Sequence, residues 1–202
     1  KSVARASVVV QASSSRSHND SEGDGVCFKR YRRNVGLCVV NSSGLVFAAQ
    51  RSDSGCNSWQ MPQGGIDDGE DVEAAALREL AEETSMTSAR VVGSLDRWLT
   101  YDFPTSVKAK LHGGWEQYEG QAQKWLLVHF HGSDDEVDLD TEHKEFKEWC
   151  WMPLEELPGA VVAFKRPVYE QVAAEFVPRI KELQRTGALS AHVAAPVARG
   201  DA

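Results

Sequence analysis

The stretch from Met61 to Glu83 constrains the fold of this chain more than any other part of the sequence. It opens with residues 61–65 (MPQGG), which favour an irregular loop, and continues into the acidic run 67–71 (DDGED). From that run to Glu83 the pattern predicts a helix, because acids crowd the first turn and apolar positions recur at helical spacing. The apolar and alanine positions on that side are Val72, Ala75, Ala76 and Leu80. A loop that leads directly into an amphipathic helix is therefore the central feature of the chain.

Three acidic residues of this predicted helix share one face. Glu79, Glu82 and Glu83 stand at positions i, i+3 and i+4, so their side chains meet. Two carboxylates about 4 Å apart repel by up to about 4 kcal/mol at an effective dielectric constant of about 20. A hard divalent cation such as magnesium would remove this repulsion, since it prefers oxygen ligands and leaves positions open for phosphate. The alternative is a solvated acidic face whose side chains spread into water.

The spacing around these glutamates resembles the Nudix box, G-x5-E-x7-R-E-U-x-E-E-x-G-U, where U is apolar. The residues that match are Gly64, Glu70, Arg78, Glu79, Leu80, Glu82, Glu83 and Met86. Ser85 stands where the pattern has glycine, which closes a helix in the left-handed conformation. Serine in that conformation costs on the order of 1 kcal/mol, so we expect a strained or rearranged helix end at Ser85.

Segments outside the box resemble one branch of the Nudix hydrolases, which includes bacterial RNA pyrophosphohydrolases and plant asymmetrical dinucleoside-tetraphosphate hydrolases. The resemblance covers about residues 31–178. The segments that carry it are 31–36 (YRRNVG), 58–67 (SWQMPQGGID), 98–101 (WLTY), 120–125 (GQAQKW), 145–146 (EF) and 164–169 (FKRPVY). Residues 99–104 (LTYDFP) and 164–167 (FKRP) look more like the plant members. The resemblance implies an α/β/α sandwich with a mixed β-sheet between helices.

Patterns elsewhere in the chain also predict an α/β (α+β) class. Two apolar runs, Val35–Val40 and Leu45–Ala49, flank residues 41–44 (NSSG) and predict a β-hairpin. The other predicted elements are strands at Val91–Leu95, Trp98–Tyr101, Trp125–Phe130 and Glu148–Met152, and a helix at Pro167–Leu183 that is interrupted near Pro178. Because strands and helices intermingle, we expect a mixed sheet between helices.

Composition divides the chain into a leader, a compact unit and a tail. We expect the Nudix-like unit over residues 31–185 and a disordered tail over residues 186–202, which are small and unpatterned. Residues 1–30 are predicted to be a disordered leader; residues 1–19 contain no acid, are rich in serine and include arginine. That composition is typical of an organelle transit peptide, and the chain begins with Lys1, so the leader is interpreted as a remnant of one. The predicted location is the chloroplast, with the mitochondrion or cytosol as alternatives.

The resemblance implies hydrolysis of a phosphoanhydride bond in a nucleoside diphosphate linked to another group. Glu79, Glu82 and Glu83 would hold Mg²⁺ or Mn²⁺, with the carbonyl oxygen of Gly64 or Gly65 as a further ligand. In the same pattern, Arg78 would pair with a box carboxylate, and Glu70 would tie the preceding loop to the helix.

The general base has two candidates. Glu145, just before Phe146, stands where this branch carries an acid beyond the box, so it would act as a fourth metal ligand or as the base. Glu82 is the other candidate, and the sequence leaves the choice between them open. For Arg78 and Glu70 the alternative interpretation is plain surface charge, and for Glu145 it is that the neighbouring Glu142 or Glu148 holds this position instead.

The substrate pocket needs cations for the non-reacting phosphates and flat surfaces for a base. The candidates for phosphate contacts are Arg32, Lys124, Lys165 and Arg166. The candidates for base stacking are Tyr101, Tyr118 and Phe164. The alternatives are a solvated surface for the cations and core packing for the aromatic rings.

The leading functional hypothesis is asymmetrical hydrolysis of diadenosine tetraphosphate to ATP and AMP. The alternatives within the same chemistry are removal of pyrophosphate from the 5′ end of RNA and hydrolysis of guanosine tetraphosphate. A nucleotide-binding module without turnover and a scaffold with an acidic helix are less favoured, because all box carboxylates are present. The net charge of −8 argues against a general nucleic-acid coat, and no apolar run reaches the length of a membrane span. We therefore expect a small-molecule nucleotide or an RNA 5′ end as partner, with no membrane and no obligate protein partner.

Overall fold

The computed structural model describes residues 26, 28–52, 57–142 and 144–190. The predicted leader and tail lie largely outside these residues. The strands are β1 (Tyr31–Val40), β2 (Val46–Arg51), β3 (Trp59–Gln60), β4 (Gln63–Gly65), β5 (Ala89–Asp102), β6 (Gly120–Phe130) and β7 (Phe146–Met152). The α-helices are α1 (Val72–Thr84), α2 (Thr105–Lys108), α3 (Leu157–Ala160) and α4 (Arg166–Arg185).

The strands form one mixed sheet. Its order is β3-β2-β1-β6-β5, with β4 also paired to β1 and β7 also paired to β2. The central pair, β1 and β6, is parallel from Tyr31–Gly120 to Val40–His129, and the other pairs are antiparallel. The predicted hairpin is confirmed, since β1 and β2 pair antiparallel across the turn that contains Gly44.

Alternating side chains of the central strands feed two separate cores. Val35, Leu37 and Val39 of β1 lie in a cluster with the apolar side of α1. Cys38 and Val40 lie in a second cluster that includes the buried side of α4. Because successive strand residues point to opposite faces, one sheet packs against a helix on each side. The predicted α/β/α sandwich with a mixed sheet is confirmed.

The structure has one long strand where the sequence predicts two. Val91–Leu95 and Trp98–Tyr101 belong to a single strand, β5, whose pairing with β6 shifts register between Ser94 and Trp98. A bulge interrupts the alternation of side chains but does not end the hydrogen-bonded ladder. The sequence pattern is therefore broken at a point where the strand continues.

Helix α4 is likewise continuous where an interruption at Pro178 is predicted. It runs through 20 residues with Pro178 inside it. Pro178 and Ala174, whose carbonyl loses its usual helical partner, both face solvent, so water can satisfy the freed oxygen. Among the described residues, no helix is long and apolar enough to cross a membrane.

Candidate active site

Helix α1 begins and ends at well-defined caps. The Asp71 carboxylate accepts hydrogen bonds from the backbone amides of Glu73 and Ala74, at 2.9 and 3.1 Å. At the other end Ser85 has φ 62°, and its amide donates to the carbonyl oxygen of Ala81 at 2.9 Å. The predicted strained exit is confirmed, since Ser85 is the one non-glycine residue with positive φ in the described part of the chain. Ser85 thus takes the left-handed conformation that the pattern assigns to glycine.

Arg78 connects α1 to the loop that precedes it. Its guanidinium donates to both carboxylate oxygens of Glu70 at 2.8 Å and to the carbonyl oxygen of Gly65 at 3.0 Å. It also donates to Glu79 at 2.9 Å and to Glu82 at 3.2 Å. The hydrogen bonds from Arg78 lower the pKa of Glu70 to about 2, so this carboxylate stays ionised at neutral pH. The structure therefore places Arg78 and Glu70 in the linking positions that the pattern indicates.

Gly64 lets the Glu79 carboxylate approach the backbone of the loop. A Cβ atom on Gly64 would lie 1.7 Å from Cδ of Glu79, so any side chain there would displace the Glu79 carboxylate. Burial raises the pKa of Glu79, and the hydrogen bond from Arg78 opposes that rise. The glycine thus creates the space in which a carboxylate oxygen and the loop backbone lie next to each other.

Glu83 is the most buried carboxylate of the box, with 4% of its surface exposed. It accepts a hydrogen bond from the backbone amide of Gln63 at 3.2 Å. Burial raises its pKa well above the ordinary value, and the negative charges of Glu145 and Glu79 raise it further. The charge of Arg51 and the amide of Gln63 oppose this rise only in part, so the surroundings of Glu83 disfavour its ionised form, and a bound cation would favour it.

Glu145 faces the box from the start of β7. Its carboxylate accepts a hydrogen bond from Arg51, at the end of β2, at 2.5 Å. Strand pairing brings them together, since Arg51 is in register with Phe146. Glu145 is thus placed on the same cavity as the box glutamates, although 62 residues separate it from Glu83 in the numbering.

The box and Glu145 border a cavity of about 730 Å³. This volume falls within the range of about 300–1,000 Å³ that is typical of small-molecule sites. Its acidic lining residues are Glu79, Glu82, Glu83 and Glu145. Its basic lining residues include Arg32, Arg51, Lys110 and Lys165, and its aromatic ones are Tyr101, Phe103, Trp115 and Phe164. One cavity thus combines carboxylates, cations and aromatic rings.

The carboxylates suit a divalent ion in kind but are not gathered into a closed cluster. No three Asp, Glu, His or Cys side chains in the described ranges are close enough together to hold one ion. Glu79, Glu82 and Glu83 line the same cavity, but their carboxylates do not converge on one point as predicted. Arg78 binds Glu79 and Glu82, whereas Glu83 accepts from a backbone amide. The desolvated Glu83 and the open space at Gly64 fit a hard cation with oxygen ligands.

The structure brings together four of the seven predicted substrate residues. Arg32, Tyr101, Phe164 and Lys165 line the cavity. Lys165 is buried, and its amine donates to the side-chain oxygens of Gln60 and Gln63, at 3.2 Å each. Burial lowers the pKa of Arg32, while the charge of Glu79 opposes that change. These four residues share the cavity with the box glutamates, although Tyr101 and Lys165 are each only 7% exposed.

Tyr118, Lys124 and Arg166 do not line the cavity, so the structure does not bring them together with the other four. The Lys124 amine donates to the carbonyl oxygen of Asp96 at 2.6 Å. The Arg166 guanidinium donates to the carbonyl oxygen of Pro158 at 3.0 Å. Both cations therefore serve local backbone contacts outside the cavity.

Several cavity residues were not expected from the sequence. They include Arg51, Phe103, Lys110 and Trp115. Arg51 carried no signal of its own, since only strand pairing brings it to Glu145. Trp115 carried a weak signal in the sequence, because an aromatic residue directly after two glycines in a polar segment is not typical of a core position.

The structure therefore combines a mixed sheet between two helices with the acidic end of α1 on a cavity of small-molecule size. The sequence model of the NUDIX domain matches residues 30–172. The chain therefore belongs to the NUDIX domain family and is a Nudix hydrolase.

Relatives and a solved structure agree with this assignment. The RNA pyrophosphohydrolase of Cereibacter sphaeroides is 49% identical over 152 residues, which cover 74% of this chain and 93% of that protein. Nudix hydrolase 26, chloroplastic, of Arabidopsis thaliana is 46% identical over 155 residues, covering 75% of this chain and 71% of that protein. The structure of the E. coli dihydroneopterin triphosphate pyrophosphohydrolase, 16% identical, matches with a TM-score of 0.52 over 71% of this chain and 97% of that chain, which supports the fold alone. The general reaction is pyrophosphohydrolysis of a phosphoanhydride bond, and Nudix hydrolases generally use divalent metal ions for it.

Proposed function

We propose that this chain hydrolyses diadenosine tetraphosphate asymmetrically to ATP and AMP, with Mg²⁺ or Mn²⁺ as cofactor. The observation that carries the proposal is the composition of the cavity, in which carboxylates, cations and aromatic rings share one space. A polyphosphate with a base at each end needs all three kinds of group. Cations bind the non-reacting phosphates, carboxylates serve the metal, and rings stack on the bases.

In this proposal Glu79, Glu82, Glu83 and Glu145 hold the metal, with the carbonyl oxygen of Gly64 as a further ligand. The bound ion would supply charge neutralisation at phosphorus and activation of the attacking water. Arg78 orients Glu79 and Glu82, to which it donates at 2.9 and 3.2 Å. Either Glu82 or Glu145 accepts the proton of the attacking water, because each lies on the cavity wall with a carboxylate oxygen.

The remaining lining residues hold the substrate. Arg32 and Lys165 contact phosphate oxygens, since both are cations on the cavity wall. Phe164 offers a ring for a base, and the buried Tyr101, whose ring centroid lies 5.6 Å away and whose plane is inclined by 48°, packs against it. Much of the rate acceleration in phosphoryl transfer comes from positioning and charge neutralisation, which are the roles that this proposal gives to the lining residues.

Removal of pyrophosphate from RNA 5′ ends is the second candidate. It is supported by the name of the Cereibacter sphaeroides relative, which is 49% identical to this chain. The net charge of −8 weighs against a long RNA contact, because backbone binding needs a basic surface. A 5′ end alone requires only the local cations of the cavity.

A substrate panel tests the proposal. Purified protein with Mg²⁺ is incubated separately with diadenosine tetraphosphate, triphosphorylated RNA and guanosine tetraphosphate, and products are identified by mass. We expect the largest kcat/KM for diadenosine tetraphosphate, with ATP and AMP as products. Faster cleavage of triphosphorylated RNA would overturn the substrate assignment and leave the reaction class intact.

A paired substitution tests the role of the box. Glu82→Gln should lower kcat roughly 100-fold or more, the scale of a lost general base or metal ligand. Glu73→Gln is the matched control, since Glu73 is an exposed glutamate of the same helix and does not line the cavity. Equal activity of the two variants would remove the metal argument.

We further propose a plastid location. Nudix hydrolases 26 and 27 of Arabidopsis thaliana, both named chloroplastic, are 46% and 49% identical to this chain. A fluorescent fusion of the full-length protein, viewed in plant cells, tests this proposal, and a cytosolic signal would contradict it.

A further inference from the structure

Trp115 lies in the segment between β5 and β6 that borders the cavity. The two residues before it, Gly113 and Gly114, have φ 72° and 91°, a conformation that glycine adopts without strain. The carbonyl oxygen of Trp115 accepts a hydrogen bond from the amide of Tyr118 at 3.1 Å. The indole is half-buried and belongs to neither apolar core. Local backbone geometry therefore holds a large aromatic ring at the cavity wall, where it contributes little to packing.

The Arg32 guanidinium covers one face of this indole, with Cζ 4.1 Å from the ring centroid. A guanidinium that stacks uses its flat face and leaves its N–H groups available in the plane. Within the part of the chain that the structure describes, Arg32 forms no hydrogen bond or ion pair. Gly65 permits this position, because a Cβ atom there would lie 2.3 Å from Nη2 of Arg32.

The pair thus offers a ring for a base and, beside it, in-plane donors for a phosphate. A second aromatic group, Tyr101 with Phe103 and Phe164, lies on the same cavity, with Lys165 5.7 Å from the ring of Tyr101. Each aromatic group is therefore paired with its own cation. A ligand with two bases joined through phosphates matches this duplication, whereas a single nucleotide needs only one of the two pairs.

We propose that Trp115 is a specificity-determining residue that stacks on the second base of a dinucleoside polyphosphate, while Arg32 binds the adjacent phosphate. This assignment rests on the proposed function and adds to it a residue that distinguishes substrates with two bases from substrates with one. Trp115 has no group that could bind a metal or transfer a proton. We therefore expect it to affect the KM for the substrate and not kcat.

The test compares diadenosine tetraphosphate with adenosine 5′-tetraphosphate, which has the same phosphate chain and one base. Base–aromatic stacking contributes about 1–3 kcal/mol per base, so Trp115→Ala should raise KM for the dinucleotide about 10-fold. The same change should leave KM for adenosine tetraphosphate within about 2-fold of the wild-type value. Trp115→Phe, which keeps a ring, should restore most of the affinity for the dinucleotide.

Trp98→Ala is the matched control, because Trp98 is another partly exposed tryptophan that does not line the cavity. It should leave the ratio of the two KM values unchanged. An equal KM change for both substrates in Trp115→Ala, or no change for either, would overturn the assignment. Failure of the wild-type protein to cleave the dinucleotide would instead refute the proposed function, so the two failures are distinguishable.

Discussion

Glu83 affects the stability of the fold and also belongs to the proposed metal site. Its carboxylate is almost fully buried and lies near the negative charges of Glu145 and Glu79, which together raise its pKa above 4.5. An acid whose pKa is higher in the folded state binds more protons there than in the unfolded state. The metal-free fold is therefore stabilised at low pH, and that stabilisation is lost as the pH rises from about 4.5 through the raised pKa.

Replacement of Glu83 by glutamine should separate these two roles. Glutamine keeps an oxygen that can accept from the amide of Gln63 but carries no charge, so the metal-free variant should be more stable than wild type at pH 8. Its hydrolytic activity should be lost, since the cation loses a ligand. Urea unfolding at pH 5 and pH 8 in the presence of EDTA measures the effect. A wild-type advantage at pH 8 would show that the charge of Glu83 is already compensated without metal.

Ser85 stores strain at the end of the same helix. Its φ of 62° lies in the left-handed region, which destabilises the fold by a steric term on the order of 1 kcal/mol. Ser85→Gly should therefore raise the free energy of unfolding by about 0.5 kcal/mol, after allowance for the greater chain entropy of glycine. Ser85→Ala keeps the strain and serves as control. Chemical denaturation of the three proteins decides the point, because equal stability of the glycine and alanine variants is incompatible with backbone strain.

Arg78 and the glycine loop show how one element holds another in place. Five hydrogen bonds from one guanidinium reach Glu70, Gly65, Glu79 and Glu82, so α1 and the loop before it behave as one unit. Lysine keeps the charge but lacks the planar fork that makes several directed bonds at once. The link between loop and helix thus depends on the shape of the arginine as well as on its charge.

Arg78→Lys should consequently lower kcat roughly 10-fold with a smaller change in KM, because the carboxylates lose their orientation while the substrate contacts remain. Initial-rate kinetics with diadenosine tetraphosphate measures both constants. Arg179→Lys is the control, since Arg179 lies on α4, outside the cavity, and donates to the carbonyl oxygen of Ser94. A change confined to KM would mean that Arg78 contacts substrate instead of positioning the box.

The same local logic explains what the sequence predicts well. Helix α1, the hairpin of β1 and β2 and the central strand β6 follow from periodicity and turn residues, which are local signals. The linking roles of Arg78 and Glu70 follow from spacing within one loop and one helix. Features that short-range patterns encode were therefore accessible without coordinates.

Features that depend on the relative orientation of distant elements could not be predicted from the sequence. Lys124 and Gln121 are three residues apart on β6, so they point to opposite faces of the sheet, and only Gln121 borders the cavity. Arg166 follows Lys165 at the start of α4, where a step of one residue turns the side chain away from the cavity. The proximity of Arg51 to Glu145 required the pairing of β2 with β7. Which of several plausible cations lines the cavity is thus a property of the assembled sheet.

At the scale of the whole molecule, the cavity draws on elements from both layers of the sandwich. Glu79, Glu82 and Glu83 come from α1 on one side of the sheet, whereas Phe164 and Lys165 immediately precede α4 on the other. A cation bound to the carboxylates would relieve the repulsion that the folded state builds up there. Because the unfolded chain does not gather these groups, metal binding and global stability are coupled.

Divalent cations should accordingly stabilise the protein in proportion to their binding. At a free Mg²⁺ or Mn²⁺ concentration about 100 times the Kd, linkage predicts a gain of about 2.7 kcal/mol in the free energy of unfolding. Thermal and urea unfolding with added MgCl₂ or MnCl₂, and with EDTA, measure this gain. Sodium chloride of equal ionic strength controls for screening, and Glu79→Gln with Glu82→Gln controls for the site, since this double variant should show little gain. An equal stabilisation of wild type and the double variant would place the cation elsewhere, because only binding to these carboxylates predicts a difference between them.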